Sequence, residues 1–312
     1  MFEYAVRKLA FGVLVVFAVT VILFAVMQLM PGDPIRLIAN PRMTPEKMEQ
    51  LRHQWGLDQP VYVQYFFWLA RFLHGDFGTS IVTGQPVSFL IATRLPYTLA
   101  LAGLALLLEY ALAVPLGLIA AVKQNSALDR GIVFVSTILW SVPTFWLGIL
   151  LMLLLAVKIP VFPISGYSGP LSIVLPALTL TLPALAGTLR LTRSEVLEAV
   201  REPYVLTAYA KGLPSRAVLI RHVLRNALIP VTMMFFLSLP WLLGGSVVVE
   251  SIFSWPGMGR LLWKSIGVQD LPVVQGIVVI IAVLTVISNV AGDIVAGLLD
   301  PRIRLEIEGG ER

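Results

Sequence analysis

Residues Leu95–Val122 read LPYTLALAGLALLLEYALAVPLGLIAAV, 28 residues with a single formal charge, Glu109. A bilayer core of about 30 Å needs roughly 20 apolar residues in helical form to span it. Helices buried in soluble proteins are seldom this long or this free of charge. Five other stretches repeat the pattern: Leu9–Met30, Gly131–Val157, Leu171–Leu189, Val231–Val249 and Leu271–Gly292. The six stretches hold 137 residues, and Glu109 is still their only charge. Composition points the same way, with 57% hydrophobic residues, 13% charged residues and a mean hydropathy of +0.86. A soluble chain carries about 25% charged residues. An ordinary cytosolic enzyme and a disordered tail protein are therefore excluded, and a net charge of +5 predicts no nucleic-acid partner. The absence of cysteine rules out disulfides, thiolate metal sites and a cysteine nucleophile.

The spans predict an all-α integral membrane protein with six transmembrane helices, and the basic residues predict its direction. With the N-terminus inside, cytoplasmic segments collect 14 Lys and Arg, while the two short outer loops hold only Lys158, Arg260 and Lys264. Both termini are then cytoplasmic. Pro31–Arg94, with six basic residues, is long enough to translocate regardless of charge. The chain divides into 1–30 (stub and first span), 31–94 (external helical segment), 95–300 (five-helix core with cytoplasmic loop 190–230) and 301–312 (tail). Leu9–Met30 is too long for a signal peptide and lacks a small-residue cleavage site.

In the external segment, Thr44-Pro45-Glu46 reads as a helix start and Gly56 as its stop. Val61–His74 is rich in aromatics, as expected of a helix at the membrane interface. It serves either as a lid packed on neighbouring spans or as a contact for an external partner. No catalytic constellation is expected. His53, His74 and His222 lack metal-ligand spacing, Gly166-Tyr167-Ser168-Gly169 misses the nucleophile elbow, and Lys264-Ser265 lacks the glycine of a P-loop. Any ATP that drives this chain must be bound by another subunit. Glu109 and Glu250 are the candidate pathway residues, because ionisable groups near spans are often functional. Packing is the alternative for Glu109. Glu250 and Asp293 lie at span ends, where a solvated or paired carboxylate is the default. Pro176, Pro183, Pro240 and Gly244-Gly245 mark either broken helices lining a cavity or ordinary kinks.

The cytoplasmic loop carries the strongest functional signal. Leu197–Lys211 can form a helix with a reset at Glu202-Pro203; Gly212 and Pro214 stop it, and Ser215–Leu228 follows with Arg216, Arg221 and Arg225. These arginines either anchor the loop to lipid headgroups or help it dock a cytoplasmic partner.

Thr207-Ala208-Tyr209-Ala210-Lys211-Gly212, followed by Arg225-Asn226-Ala227-Leu228-Ile229-Pro230, resembles the coupling-helix region of ABC importer permeases. It departs from the generic motif at Leu206 and Thr207 and in the longer spacing to Pro230. That variant is similar to the dipeptide, oligopeptide and nickel class. Met30-Pro31-Gly32-Asp33-Pro34, Gly56-Leu57-Asp58-Gln59-Pro60, Gly75-Asp76-Phe77-Gly78, Gly244-Gly245-Ser246, Glu250–Gly257 and Leu299–Arg304 resemble the same class, in order along nearly the whole chain.

The resemblance implies a type I ABC importer permease fold in a bacterial or archaeal inner membrane. The implied partners are a second homologous permease subunit, two cytoplasmic ATPase subunits carrying ATP and Mg, an external substrate-binding protein and membrane lipid. Short peptides lead as substrate, ahead of nickel, glutathione or another small solute. An ion-coupled secondary transporter is the competing class, but it would want more midplane charge than Glu109. Pro203, Thr207, Ala208, Tyr209, Ala210, Lys211 and Gly212 are the expected ATPase-coupling residues. Ala208 and Ala210 are expected to supply the small side chains of that contact.

Overall fold

The computed structural model describes residues 2–29 and 58–299, together with Glu46, Gln50 and His53. The expected helix from Thr44 to Gly56 and the tail 301–312 lie largely or wholly outside the described residues. The described chain is helical throughout: α1 (Phe2–Leu29), α2 (Val61–Leu73), α3 (Val87–Val122), α4 (Ala127–Ser141), α5 (Thr144–Met152), α6 (Val174–Ala199), α7 (Pro203–Ala210), α8 (Ser215–Val218), α9 (Arg225–Ile252), α10 (Met258–Gly267) and α11 (Leu271–Leu299). Wide π turns at Leu153–Lys158 and Leu219–Leu224 extend α5 and join α8 to α9. Among the described residues, five helices are long and apolar enough to cross a membrane alone, and the bent α4–α5 pair makes a sixth when it is counted as one broken span.

Two of the expected spans differ from the sequence reading. Gly131–Val157 reads as one apolar run, but the structure bends it by 100° between α4 and α5. Pro143 has no N–H to continue the helix and pushes the preceding residue out of the helical region. Val142 accordingly sits at φ −82° and ψ 125°. The second span begins at Val87 rather than Leu95. Arg94 hides this in the sequence, yet Val87, Leu90 and Ile91 lie at helical spacing and bury against Val273 and Ile277 of α11.

At the centre, α3 and α6 pack against each other through small residues. Ala102, Ala105 and Ala177 join Leu101, Leu106 and Leu180 in one buried cluster. A Cβ on Gly117 would stand 2.7 Å from the Leu189 carbonyl oxygen, so the helices meet there almost backbone to backbone. Thr181 donates across the seam to the Ala105 carbonyl at 3.1 Å. A bidentate pair of Arg193 with Asp129, both bonds 2.8 Å, ties the start of α4 to the lower part of α6. Peripheral α1 packs on α11, where Lys8 and Asp293 pair at 2.9 Å. The aromatic helix α2 lies along the second half of α1. Tyr65 shares a hydrogen bond with Thr20 at 2.9 Å and stacks edge-on against Phe24, leaving Tyr62, Phe66 and Phe67 exposed.

Candidate functional site

Two regions stand out: the arm between α6 and α9, and an open cavity between α3, α4, α6 and α9, on whose walls Trp140, Leu237 and Trp241 are more than half exposed. In the arm, α6 ends at Ala199, and α7 starts with Pro203 at its first position after Glu202. Pro is tolerated there because the first helical N–H has no intrahelical partner. The helix closes with a left-handed glycine cap. Gly212 adopts φ +76°, its N–H donates to the Tyr209 carbonyl at 2.9 Å, and the Leu213 N–H reaches back to Ala208 at 3.4 Å.

The arm has two faces. Val205 and Ala208 turn inward and join Val196, Val218, Val223 and Ala227 in a cluster that fixes α7 to the body. Leu206 (75% exposed), Tyr209 and Lys211 turn outward, with Thr207 and Ala210 also exposed. Ala208, expected to face a partner, is 5% exposed and packs within its own chain, where its smallness lets the arm seat on the bundle. The side chains of α7 repeat every 3.6 residues like those of any helix, and the pattern alone does not say which side is covered.

The cavity has a volume of about 650 Å³ and opens where α4 breaks from α5. Trp140, Pro143, Glu109, Thr188, Ser238 and Trp241 are among its lining residues. Glu109 is 2% exposed. Its Oε1 accepts the Thr188 hydroxyl at 2.5 Å, while Oε2 has no hydrogen-bond partner among the described residues. At the rim, the Arg190 guanidinium lies over the Trp140 ring, 4.0 Å from its centroid.

Glu250 lies elsewhere and is fully withdrawn from solvent. It stands near the end of α9 and faces the start of α10. Oε1 accepts the Thr98 hydroxyl at 2.7 Å, and Oε2 accepts the Arg260 N–H at 3.0 Å. Thr98 in turn accepts the Met258 N–H at 2.8 Å. The carboxylate therefore caps a helix N-terminus, where backbone N–H groups and the helix dipole both favour a negative charge. The Gly257-Met258-Gly259 triplet makes room for it. A Cβ on Gly257 would overlap the Glu250 carboxylate, and one on Gly259 would stand 2.6 Å from the Val247 Cα. The structure does not bring Glu250 to the cavity that Glu109 lines. Among the described residues, no group of three or more acidic or histidine side chains could hold a metal ion.

The sequence reading did not find Thr98, Thr188, Trp140 or the break at Pro143. For the break a signal was present, a proline inside an apolar run. For the two threonines there was none, since a hydroxyl in a span normally bonds its own helix.

A family model described as "Binding-protein-dependent transport system inner membrane component" matches residues 113–305, and the corresponding N-terminal model matches residues 1–102. The oligopeptide transport system permease protein AppB of Bacillus subtilis is 40% identical over 314 residues, covering 97% of this chain and 99% of that one. The dipeptide transport system permease protein DppB of Lactococcus lactis is 37% identical over 306 residues, covering 98% and 100%. Among solved structures, the inward-facing MetNI methionine ABC transporter matches with a TM-score of 0.58 at 18% identity, over 68% of this chain and 97% of that chain. That likeness is one of fold.

Proposed function

Because the chain belongs to the family of binding-protein-dependent transport system inner membrane components, we propose that it is one transmembrane half of an ATP-driven importer of short peptides. The observation that carries this reading is near-full-length identity of 37–40% to permeases named for oligopeptide and dipeptide transport. In this reading a second homologous permease completes the pathway, two cytoplasmic ATPase subunits bind ATP and Mg, and an external binding protein delivers the peptide. Both termini face the cytoplasm, as the basic residues favour.

The coupling element is the outward face of α7: Leu206, Tyr209, Ala210 and Lys211, with Thr207 beside them. Pro203 and Gly212 fix the two ends of this helix, and Ala208 seats it. An ATPase dimer that closes on ATP pushes this rigid handle, and the push shifts the bundle between inward- and outward-facing states. The π turn at Leu219–Leu224 joins the arm to α9, so movement of the arm reaches a membrane-spanning helix directly.

The test is reconstitution of the four-subunit complex in vesicles with its binding protein. Uptake of labelled trialanine that requires ATP, and that stops when Leu206 and Tyr209 are both replaced by Asp, is the expected result. Uptake of nickel or glutathione without uptake of any peptide would defeat the substrate assignment. Unchanged transport in the double variant would defeat the coupling assignment.

A further inference from the structure

We propose that the cavity at Glu109 is a binding site for a primary ammonium group, and that Glu109 Oε2 receives the protonated amino terminus of a passing peptide. The identity of the cargo rests on the peptide-import reading; the ammonium site itself rests on the geometry.

The depth of the site comes from helix arithmetic. Glu109 stands 13 residues before the end of α3, Trp140 stands 13 after the start of α4, and Ser238 stands 13 after the start of α9. Thr188 stands 11 before the end of α6. At 1.5 Å per residue these separations are about 17–20 Å. The four ends lie on one side of the bundle, joined by the Arg193–Asp129 pair and by the packing of Ala121 with the arm. Thr188, which bonds Glu109, is one residue from the end of the apolar span Leu171–Leu189, and Arg190 follows at the rim, so the cavity lies in the cytoplasmic half of the bundle. Irregular backbone at that depth is tolerated where it is buried in protein or lines a water-filled cavity, and the Ser141-Val142-Pro143 break lines this one.

The sign of the ligand follows from the lining. A buried carboxylate with one oxygen unpartnered is costly unless something donates to it. The C-terminal end of α4 forms part of the same wall through Trp140 and Ser141. The carbonyls of a helix's last turn carry partial negative charge, and Pro143 has no N–H with which to cap them. Among the described residues, no Lys, Arg or His lines the cavity. The N-terminus of α5 at Thr144 borders the same wall and offsets the α4 carbonyls, so the sign is set by the unpartnered carboxyl oxygen and the lack of a cationic lining residue.

The type of cation follows from the remaining walls, which are indole rings, prolines and Met234 with only scattered hydroxyls. A strongly hydrated inorganic ion gains little there. Once the Glu109 side chain turns its buried Oε2 toward the cavity, an ammonium on an apolar body can donate to it and lay its side chains on Trp241, and indole faces attract cations, as Arg190 on Trp140 already does.

The test uses the assembled complex in nanodiscs without the binding protein. Ligand binding is followed by saturation-transfer NMR of methyl protons, which reads millimolar affinities. The probes are trialanine, alaninamide (an ammonium with no carboxylate) and N-acetyl-trialanine. Trialanine and alaninamide are expected to bind the wild type at least tenfold more tightly than N-acetyl-trialanine. Glu109→Gln should lose that difference and Glu109→Asp should keep most of it. Equal binding of the acetylated peptide, unchanged binding in Glu109→Gln, or no binding of any probe overturns the proposal. The first and third outcomes come from the wild type alone and do not depend on the variants folding. If the complex imports a non-peptide solute while alaninamide still binds through Glu109, the peptide reading falls and the ammonium site stands.

Discussion

Glu250 and Glu109 are two carboxylates that the bundle withdraws almost completely from water, and they differ in what surrounds them. Glu250 sits where α9 meets α10, and each of its oxygens receives a hydrogen bond from outside its own helix. Glu109 sits on the wall of a cavity with one oxygen satisfied and the other without a partner among the described residues. Burial alone therefore does not separate structural from functional charge. The donors differ: both oxygens of Glu250 are satisfied by the fold, whereas Glu109 Oε2, itself buried, has no donor among the described residues. The two sites should respond oppositely to the same substitution.

The largest expected effect is at Glu250. Glu250→Gln puts an amide donor where two acceptor oxygens are required. The Thr98 hydroxyl already accepts from Met258, so its proton must go to Glu250. We expect a loss on the order of 3 kcal/mol or more, read as a marked fall in the thermal unfolding midpoint of the detergent-solubilised protein. Glu109→Gln keeps the Thr188 bond and relieves an unpaired charge, so its midpoint should stay level or rise. A Glu109 variant that unfolds as readily as the Glu250 variant would erase the distinction.

Next in size is Gly259→Ala. The added methyl group would stand 2.6 Å from the Val247 Cα and 2.9 Å from Glu250 Oε2, and neither the backbone nor the capping carboxylate can move away cheaply. Overpacking of this kind costs about 1–3 kcal/mol. Gly187 lies on the cavity wall with nothing within 4 Å of an added Cβ, so Gly187→Ala should be nearly neutral in the same measurement. Equal destabilisation by the two alanines would mean that the cavity wall is packed as tightly as the α9–α10 seam.

These contrasts mark how far the sequence could be read. The apolar runs and their direction were legible because membrane thickness imposes a length and water imposes a charge pattern. Pro203 and Gly212 were legible as helix punctuation, since each acts through its own backbone. The inward turn of Ala208 was not, because eight residues of helix have two faces and the covering side chains come from Val218, Val223 and Ala227. Both glutamates stood out in an apolar sequence, but their partners did not. Thr188 lies 79 residues from Glu109, and Thr98 lies 152 residues from Glu250. Long-range pairing of that kind leaves no trace in local pattern, and neither does the cavity that separates the two fates.

The smallest expected effect lies at an exposed carboxylate, which sets the lower end of the scale. Asp76 accepts the Gly78 N–H at 2.9 Å and pairs with Arg71 at 2.8 Å, in the turn after α2. The Gly78 N–H first, and then the Arg71 guanidinium, hold its carboxyl below the usual aspartate range. A carboxyl lowered in the folded state stabilises the fold above the unfolded value of about 3.9 and loses that contribution as pH falls through the folded value. The group is about half exposed, so water and salt screen the interaction, and pairs of this kind contribute about 0–1 kcal/mol. Asp76→Asn should therefore lower the unfolding midpoint slightly at pH 7 and low salt, less at 0.5 M salt, and progressively less as pH falls below about 3.9. A salt-independent loss comparable to that of Glu250→Gln would show that exposure is a poor guide here, and that this turn is held as firmly as the α9–α10 seam.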